Sequence, residues 1–395
     1  MNLIREDYKE QFEMIIFYGI PAYGHIHPTL PIVNELVQRG YHVVYYATKE
    51  FQELIESHGA EFREYHFDGV DWNPQVGSQI LELTELVLRF TAEQMDELME
   101  EAKVLQPKMI FHDTIAFWGR VVASSLDIKA VCVNTLISIS GYGSKAFRLY
   151  ATRFTGSSFS QWKSIPNIIK YKKKVKKKWK GKPDDWVSIL MNSEKFNVYT
   201  YSCLMHPDEK KLGTHHFFLG PTSLLRSGAV RKEDWTTDKP LIYVSLGTIF
   251  NNSQSFYQEI IKQFGDTKYQ VVISSKSQYE MLSEEALPSN IIIKPYVSQI
   301  DVLQEADLFV TAGGMNSICE AVSSGVPCLV YPQQGEQDIN GMMMERLGFG
   351  RRLKRESNIL ETAEQLLETH RTNPKLIEEF SAIHMQELMK RLEEY

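Results

Sequence analysis

Apolar residues fall into two series of short runs, each followed by a turn signal and then by a stretch of helical spacing. Residues 14–20 form the first run. Residues 21–27 read as a loop marked by Gly and Pro, Pro28 stands where proline suits a helix start, and Gly40 closes that helix. The next run, 41–48, completes a predicted βαβ unit. Residues 109–113 and 129–134 predict two further strands with a helix over 116–126 between them, and 197–201 and 217–219 are strand-like again. The segment 138–193 gives no clear period. Residues 220–240 also lack periodicity and collect Pro, Ser, Gly and charge, which marks a linker. A second series follows it, with strands expected at 241–246, 270–274, 291–293, 307–311 and 327–331. Two such series predict an α/β chain: a first domain over 1–220, a linker over 221–240, a second domain over 241–373, and an amphipathic helical tail over 374–395.

Composition narrows the class. A chain of 395 residues with 43% apolar content can bury two cores. A net charge of −7 gives no global reason to expect a nucleic-acid partner. Cys132, Cys203, Cys319 and Cys328 lie far apart with no CxxC pair, the usage of reduced thiols. The first thirteen residues mix both charges, unlike a signal peptide, and no apolar run reaches the ~18 residues that span a bilayer, so a cytoplasmic location is expected.

The most informative stretch runs Val310-Thr311-Ala312-Gly313-Gly314-Met315-Asn316-Ser317-Ile318-Cys319-Glu320, followed by Gly325-Val326-Pro327 and Pro332-Gln333-Gln334-Gly335-Glu336-Gln337. An apolar strand enters two glycines and then a helix beginning with small polar residues. Glycines let backbone approach a ligand closely, and the N–H groups and dipole of a helix start favour an anion such as phosphate. The second apolar run, 328–331, ends in a loop rich in partners for sugar hydroxyls. Diphosphate on one side and polyol on the other describe a nucleotide sugar.

These motifs, with Val244-Ser245-Leu246-Gly247-Thr248 and Gly24-His25-Ile26-His27-Pro28, resemble the family-1 glycosyltransferases, in particular the bacterial macrolide-type branch. The resemblance implies a GT-B fold, with two Rossmann-like domains facing each other across a cleft and the tail packed back on the first domain. It also implies inverting, metal-independent transfer from a nucleotide diphosphate sugar, with a UDP-sugar as co-substrate and no cofactor.

The chemistry needs a base for the acceptor proton and stabilisation of the departing diphosphate. His25 follows the first strand and matches the family's catalytic histidine. Asp113 ends another strand and matches the carboxylate that orients that base; the alternative is that Asp113 caps the following helix. For the donor, Thr248, Asn316, Ser317 and the backbone of Gly313 and Gly314 match phosphate contacts. Glu320 matches the ribose carboxylate, Tyr296 stands for the family's base-stacking tryptophan, and Val297 and Gln299 match its base-edge contacts. Glu336 and Gln337 match the pair that bonds sugar hydroxyls. Phe117, Trp118, Tyr142 and Phe147 are candidates for an apolar acceptor pocket, although aromatic core packing is a common fate. His25 and His27 form a His-x-His pair without a third ligand nearby, and no Asp-x-Asp pair occurs, so no metal site is expected.

One departure from the pattern matters. The family places a histidine where this chain has Ala312, and one lost donor to a buried anion costs about 1.5–3 kcal/mol. A histidine restored there is expected to help donor binding unless another group fills the space. The run 170–182 holds nine lysines, with Ile168, Tyr171, Val175 and Trp179 on one helical face. That pattern suits weak contact of 168–182 with an anionic membrane, or a solvated helix packed on the domain. The sequence therefore predicts a glycosyltransferase moving a hexose, glucose first, to a hydroxyl of a phenol-, flavonoid- or macrolide-like molecule. The alternatives are a catalytically silent nucleotide-sugar binder, a lipid glycosyltransferase at the membrane surface, and a UDP-sugar epimerase.

Overall fold

Residues 14–18, Met-Ile-Ile-Phe-Tyr, are apolar at successive positions because the strand they form is covered on both faces, as parallel sheets are. The computed structural model describes residues 13–66, 80–137, 159–179, 181, 186–206, 212–225, 238–247, 254–282, 287–354 and 358–395. In chain order the early elements are β1 (Met14–Tyr18), α1 (Tyr23–Ile26), α2 (Leu30–Gln38), β2 (His42–Ala47), α3 (Gln52–Glu56), β3 (Glu61–Glu64), α4 (Ile80–Leu105), β4 (Met109–Asp113), α5 (Phe117–Leu126), β5 (Lys129–Asn134), α6 (Ile165–Lys178), α7 (Trp186–Leu190), β6 (Phe196–Tyr199) and β7 (His216–Phe218). There follow β8 (Leu241–Ser245), α8 (Gln254–Phe264), β9 (Gln270–Ser274), α9 (Lys276–Leu282), β10 (Ile291–Lys294), α10 (Gln299–Glu305), β11 (Leu308–Thr311), α11 (Met315–Ser323), β12 (Cys328–Val330), α12 (Gly335–Leu347), β13 (Gly350–Arg352), α13 (Ile359–Thr369), α14 (Pro374–Ser381) and α15 (Met385–Glu394).

The chain divides into two compact units. The first takes the chain to Thr200, the stretch ending at Thr222, and His384–Tyr395; the second takes the stretch beginning at Tyr201 and Ser223–Ile383. The first contains a seven-stranded sheet in the order β3-β2-β1-β4-β5-β6-β7, and the second a six-stranded sheet in the order β10-β9-β8-β11-β12-β13. Every described strand pair is parallel. Both are Rossmann-like. In each, strand order reverses at one place, between β1 and β4 in the first and between β8 and β11 in the second. Sheets of this kind place ligands beyond the carboxyl ends of the strands at that reversal.

Three differences from the predicted elements have physical causes. No element was expected at 80–105, where the 26-residue α4 stands. Its buried face includes Thr84, Thr91 and Gln94. Thr84 and Thr91 donate to the carbonyls of Ile80 and Val87 at 2.6 and 2.7 Å, so polar residues occupy a stripe that hydropathy alone misses. The strands β3 (Glu-Phe-Arg-Glu) and β13 (Gly-Arg-Arg) lie at sheet edges, where charged residues are tolerated and apolar periodicity is not needed.

The tail is two helices rather than one. In α14, Phe380 is buried and Ser381 Oγ donates to Ser323 Oγ at 2.7 Å within the second unit. The chain then extends at Ala382, and His384 N donates to Leu219 O at 2.8 Å as the first unit resumes. There α15 buries Leu388 and Met389, Arg39 bonds Gln386 and Glu393, and the Tyr395 ring stacks on Phe196. Among the described residues no helix is long and apolar enough to cross a membrane.

Candidate active site

Beyond β1 the backbone is extended at Ala22 and then winds into α1, so residues 21–27 are not wholly the loop expected from their Gly and Pro. Two backbone bonds to Ala22 O, from His25 N at 2.9 Å and Ile26 N at 3.0 Å, set the direction of the His25 side chain, and the buried Ile26 anchors the turn. His25 Nδ1 lies 2.8 Å from Asp113 Oδ2, at the end of β4. The histidine is 13% exposed and the aspartate 2%, so the imidazole reaches outward while its partner stays dry. Asp113 Oδ1 accepts from Ile115 N at 2.8 Å. The carboxylate thus ties down the turn before α5 with one oxygen and meets His25 with the other; it does not cap α5, whose start at Ala116 has no side-chain cap.

Thr135, just past β5, completes the cluster. Its Oγ1 stands 3.0 Å from His25 Nδ1 and donates to Asp113 Oδ2 at 3.2 Å. Sequence reasoning missed it, although its place one residue beyond the neighbouring strand is the signal that finds it. Nearby, burial first and the Asp113 charge second push the Cys132 thiol well above its ordinary range, so it stays protonated.

The turn after β11 is built differently. Gly313 has φ +91°, and a Cβ there would stand 2.6 Å from Val330 Cγ1, so glycine is required by both backbone and space. Gly313 N donates to Thr311 Oγ1 at 3.2 Å, and Gly313 O accepts from Asn340 Nδ2 at 2.9 Å. Gly314 stands just before α11, no side chain caps that helix start, and a Cβ at Gly314 would meet nothing within 4 Å. The result is a helix N-terminus whose approach is open, as anion binding requires.

Around that helix, Gln299 Nε2 donates to Glu320 Oε2 at 2.6 Å and to Ser317 Oγ at 3.2 Å, so three expected donor contacts meet in one network. Val297 is buried, whereas Tyr296 is 78% exposed, an uncovered ring at the end of β10. On α12, Glu336 Oε1 accepts from Asn340 at 3.2 Å and Gln337 Oε1 accepts from Gln333 N at 2.7 Å. Asn340, one helical turn past Glu336, therefore couples the glycine turn to Glu336; it too was missed, and the i, i+4 spacing is its signal.

Residues 233–394 match the family described as UDP-glucoronosyl and UDP-glucosyl transferase. The NDP-glycosyltransferase YjiC of Bacillus licheniformis is 30% identical over 352 residues, covering 87% of this chain and 85% of its own. The chain belongs to the family-1 glycosyltransferases. The oleandomycin glycosyltransferase of Streptomyces antibioticus is 25% identical over 376 residues, covering 90% of this chain and 82% of its own. The crystal structure of the glycotransferase of kitacinnamycin shares the fold with a TM-score of 0.76 at 23% identity, over 94% of each chain. The fold is GT-B.

Within this glycosyltransferase several expected positions need correction or fall outside view. Phe117 and Trp118 do not line a pocket. Both are fully buried: Trp118 packs edge-on against Phe90 and Tyr65 and donates its Nε1–H to Tyr65 at 3.1 Å, and Phe117 packs on Trp179. The helix that follows Asp113 turns these rings into the core. Thr248, Tyr142 and Phe147 lie outside the described residues. Ala312 is 3% exposed and belongs to the apolar core of the second unit. Because its methyl is already covered, Ala312→His is expected to lower stability by about 1–3 kcal/mol through overpacking rather than to add a diphosphate donor. Thermal unfolding together with calorimetry of UDP binding checks this, and tighter UDP binding without loss of stability would contradict it.

Proposed function

We propose that this glycosyltransferase moves a hexose, glucose first, from a UDP-sugar to a hydroxyl of a hydrophobic small molecule, with inversion and without a metal ion. The observation that carries this reading is the His25–Asp113 pair, 2.8 Å apart at the strand-order reversal of the first sheet. With Nδ1–H directed at Asp113, Nε2 is the nitrogen that takes the acceptor proton. The acceptor oxygen attacks the anomeric carbon, the bond from that carbon to the diphosphate oxygen breaks, and the proton rests on His25. Asp113 offsets the imidazolium charge that forms. The leaving diphosphate is assigned to the open start of α11, with Asn316, Ser317 and the backbone at Gly313 and Gly314. Glu320 and Gln299 are assigned to ribose and base, Tyr296 to stacking on the base over less area than a tryptophan offers, and Glu336 and Gln337 to sugar hydroxyls. Diphosphate charge met by helix N–H groups removes the need for a cation. The oleandomycin glycosyltransferase among its relatives supports a natural-product acceptor.

Product analysis after incubation with UDP-glucose tests this reading. Glucoside and UDP are expected only when a phenolic acceptor is present, at a rate that excess EDTA leaves unchanged. An epimerised UDP-sugar formed without acceptor would make the protein an epimerase. UDP binding without any product would make it a silent binder, and a strict need for added Mg²⁺ or Mn²⁺ would contradict the diphosphate assignment.

Thr135 is assigned a positioning role, since its hydroxyl bonds the carboxylate that orients the base. Thr135→Val is expected to lower kcat by about tenfold with donor KM little changed, and Thr135→Ser to restore most of it. A valine variant with parental kcat would remove Thr135 from the machinery.

A further inference from the structure

Helix α6 carries seven lysines and no acidic residue in fourteen positions, in a chain whose net charge is −7. None of these lysines is assigned a part in the proposed sugar transfer. Its inner face is already committed: Tyr171, Val175 and Trp179 are buried in the core that α4 also enters, and Trp179 Nε1 donates to Ser124 Oγ at 2.7 Å. Asn167 bonds Glu85 at 2.7 Å and Lys178 pairs with Asp96, so the helix is pinned to α4 toward both ends. Four apolar residues in the basic run are thereby explained by packing, including the partly buried Ile168.

The outer face is not explained that way. Trp162 is 62% exposed and Ile169 is 49% exposed. They stand seven residues apart on a continuous helical path, because the short helix Phe159–Ser164 runs directly into α6, and residues so spaced share a side. Lys173 and Lys176 continue the same stripe, four and seven residues beyond Ile169, with Lys170 and Lys177 beside it. Among the described residues Lys170, Lys173, Lys174, Lys176 and Lys177 make no ion pair; Lys170 and Lys174 lie over the Tyr171 ring at 5.1 and 5.4 Å. A purely solvated face gains nothing from an exposed tryptophan and isoleucine between lysines. An anionic bilayer accommodates both classes: the indole and the aliphatic chain enter the interfacial layer, and the lysines face lipid phosphates. A nucleic acid would satisfy the charges but offers Ile169 no apolar medium.

We propose that the outer face of α6, with Trp162, Ile169, Lys173, Lys176 and Lys177, docks this protein on an anionic lipid surface. No part of this rests on the glycosyl-transfer reading. An enzyme resting there meets hydrophobic acceptors already partitioned into the bilayer.

The test is sedimentation of the full chain with vesicles of phosphatidylglycerol and phosphatidylcholine, compared with phosphatidylcholine alone. Binding is expected only to the anionic vesicles, weakening as salt rises. Lys173→Glu with Lys177→Glu is expected to weaken it by about a hundredfold or more, since each charge near such a surface is worth about fivefold and a reversal counts twice at each of the two positions. Trp162→Ser with Ile169→Ser is expected to weaken it severalfold. Both variants change exposed residues and are expected to melt as the parent does. The proposal is overturned if the parent does not bind anionic vesicles at low salt, or if the lysine reversals leave binding unchanged. It is also overturned if Trp162 and Ile169 contribute nothing while a DNA oligonucleotide binds as well as vesicles do, since the face is then a polyanion surface.

Discussion

Replacing His25 with alanine is expected to lower turnover by about a hundredfold or more while UDP affinity stays near its parental value. The expectation follows from where the residue stands. The His25 side chain is fixed by α1 and Asp113 in the first unit, whereas every residue assigned to UDP belongs to the second. Removing the imidazole leaves the acceptor hydroxyl without a base, and a hydroxyl that must lose its proton to water attacks far more slowly. The fold should survive, because His25 is partly exposed and the turn is anchored by Ile26 and backbone bonds. Initial rates of glucoside formation and calorimetry with UDP on the same preparation make the comparison. A folded alanine variant that transfers sugar to an alcohol at close to the parental rate would sink the base assignment.

The two glycines after β11 should differ in stability, though not in loss of UDP binding, when given the same added methyl group. Gly313→Ala combines a left-handed backbone with a Cβ placed 2.6 Å from Val330 Cγ1, so a stability loss of about 2–5 kcal/mol is expected. The turn it distorts also carries the carbonyl held by Asn340, so donor binding should fail with it. Gly314→Ala has an ordinary φ of −62° and open space around the new Cβ, so the melting temperature should hardly move. The methyl would nevertheless stand where diphosphate is assigned, and UDP binding is expected to weaken by about tenfold or more. Thermal unfolding and UDP titration of the pair separate a structural glycine from one kept clear for a ligand. Parental UDP affinity in Gly314→Ala would remove the diphosphate from that helix start.

Central strands and their connections were legible in the sequence because their physics is local. Both faces of β1, β4, β8 and β11 are covered, so apolar runs announce them. The glycine pair announces the tight turn into α11 through backbone geometry alone. What escaped depends on partners distant in sequence. Phe117 and Trp118 look like pocket residues until Phe90, Tyr65 and Trp179 are seen around them. Thr135 becomes part of the base cluster only through a contact spanning 110 positions, to His25. The edge strands β3 and β13 have no apolar period to betray them, and the break at Ala382 in the tail carries neither Gly nor Pro.

The two sheets have separate apolar cores, one including Ile16, Val44 and Ile110, the other Ile242, Val244 and Val310. Substitutions beyond β1 or β4 therefore draw on a different core from substitutions beyond β8 or β11, and effects on stability at sites that share no packing partner add. With acceptor contacts proposed for the first unit and donor contacts for the second, a lineage can explore new acceptors in one half without drawing on the tolerance for mutation held by the other. Inheritance of donor and acceptor preference then becomes separable, and variation in either can accumulate on its own clock.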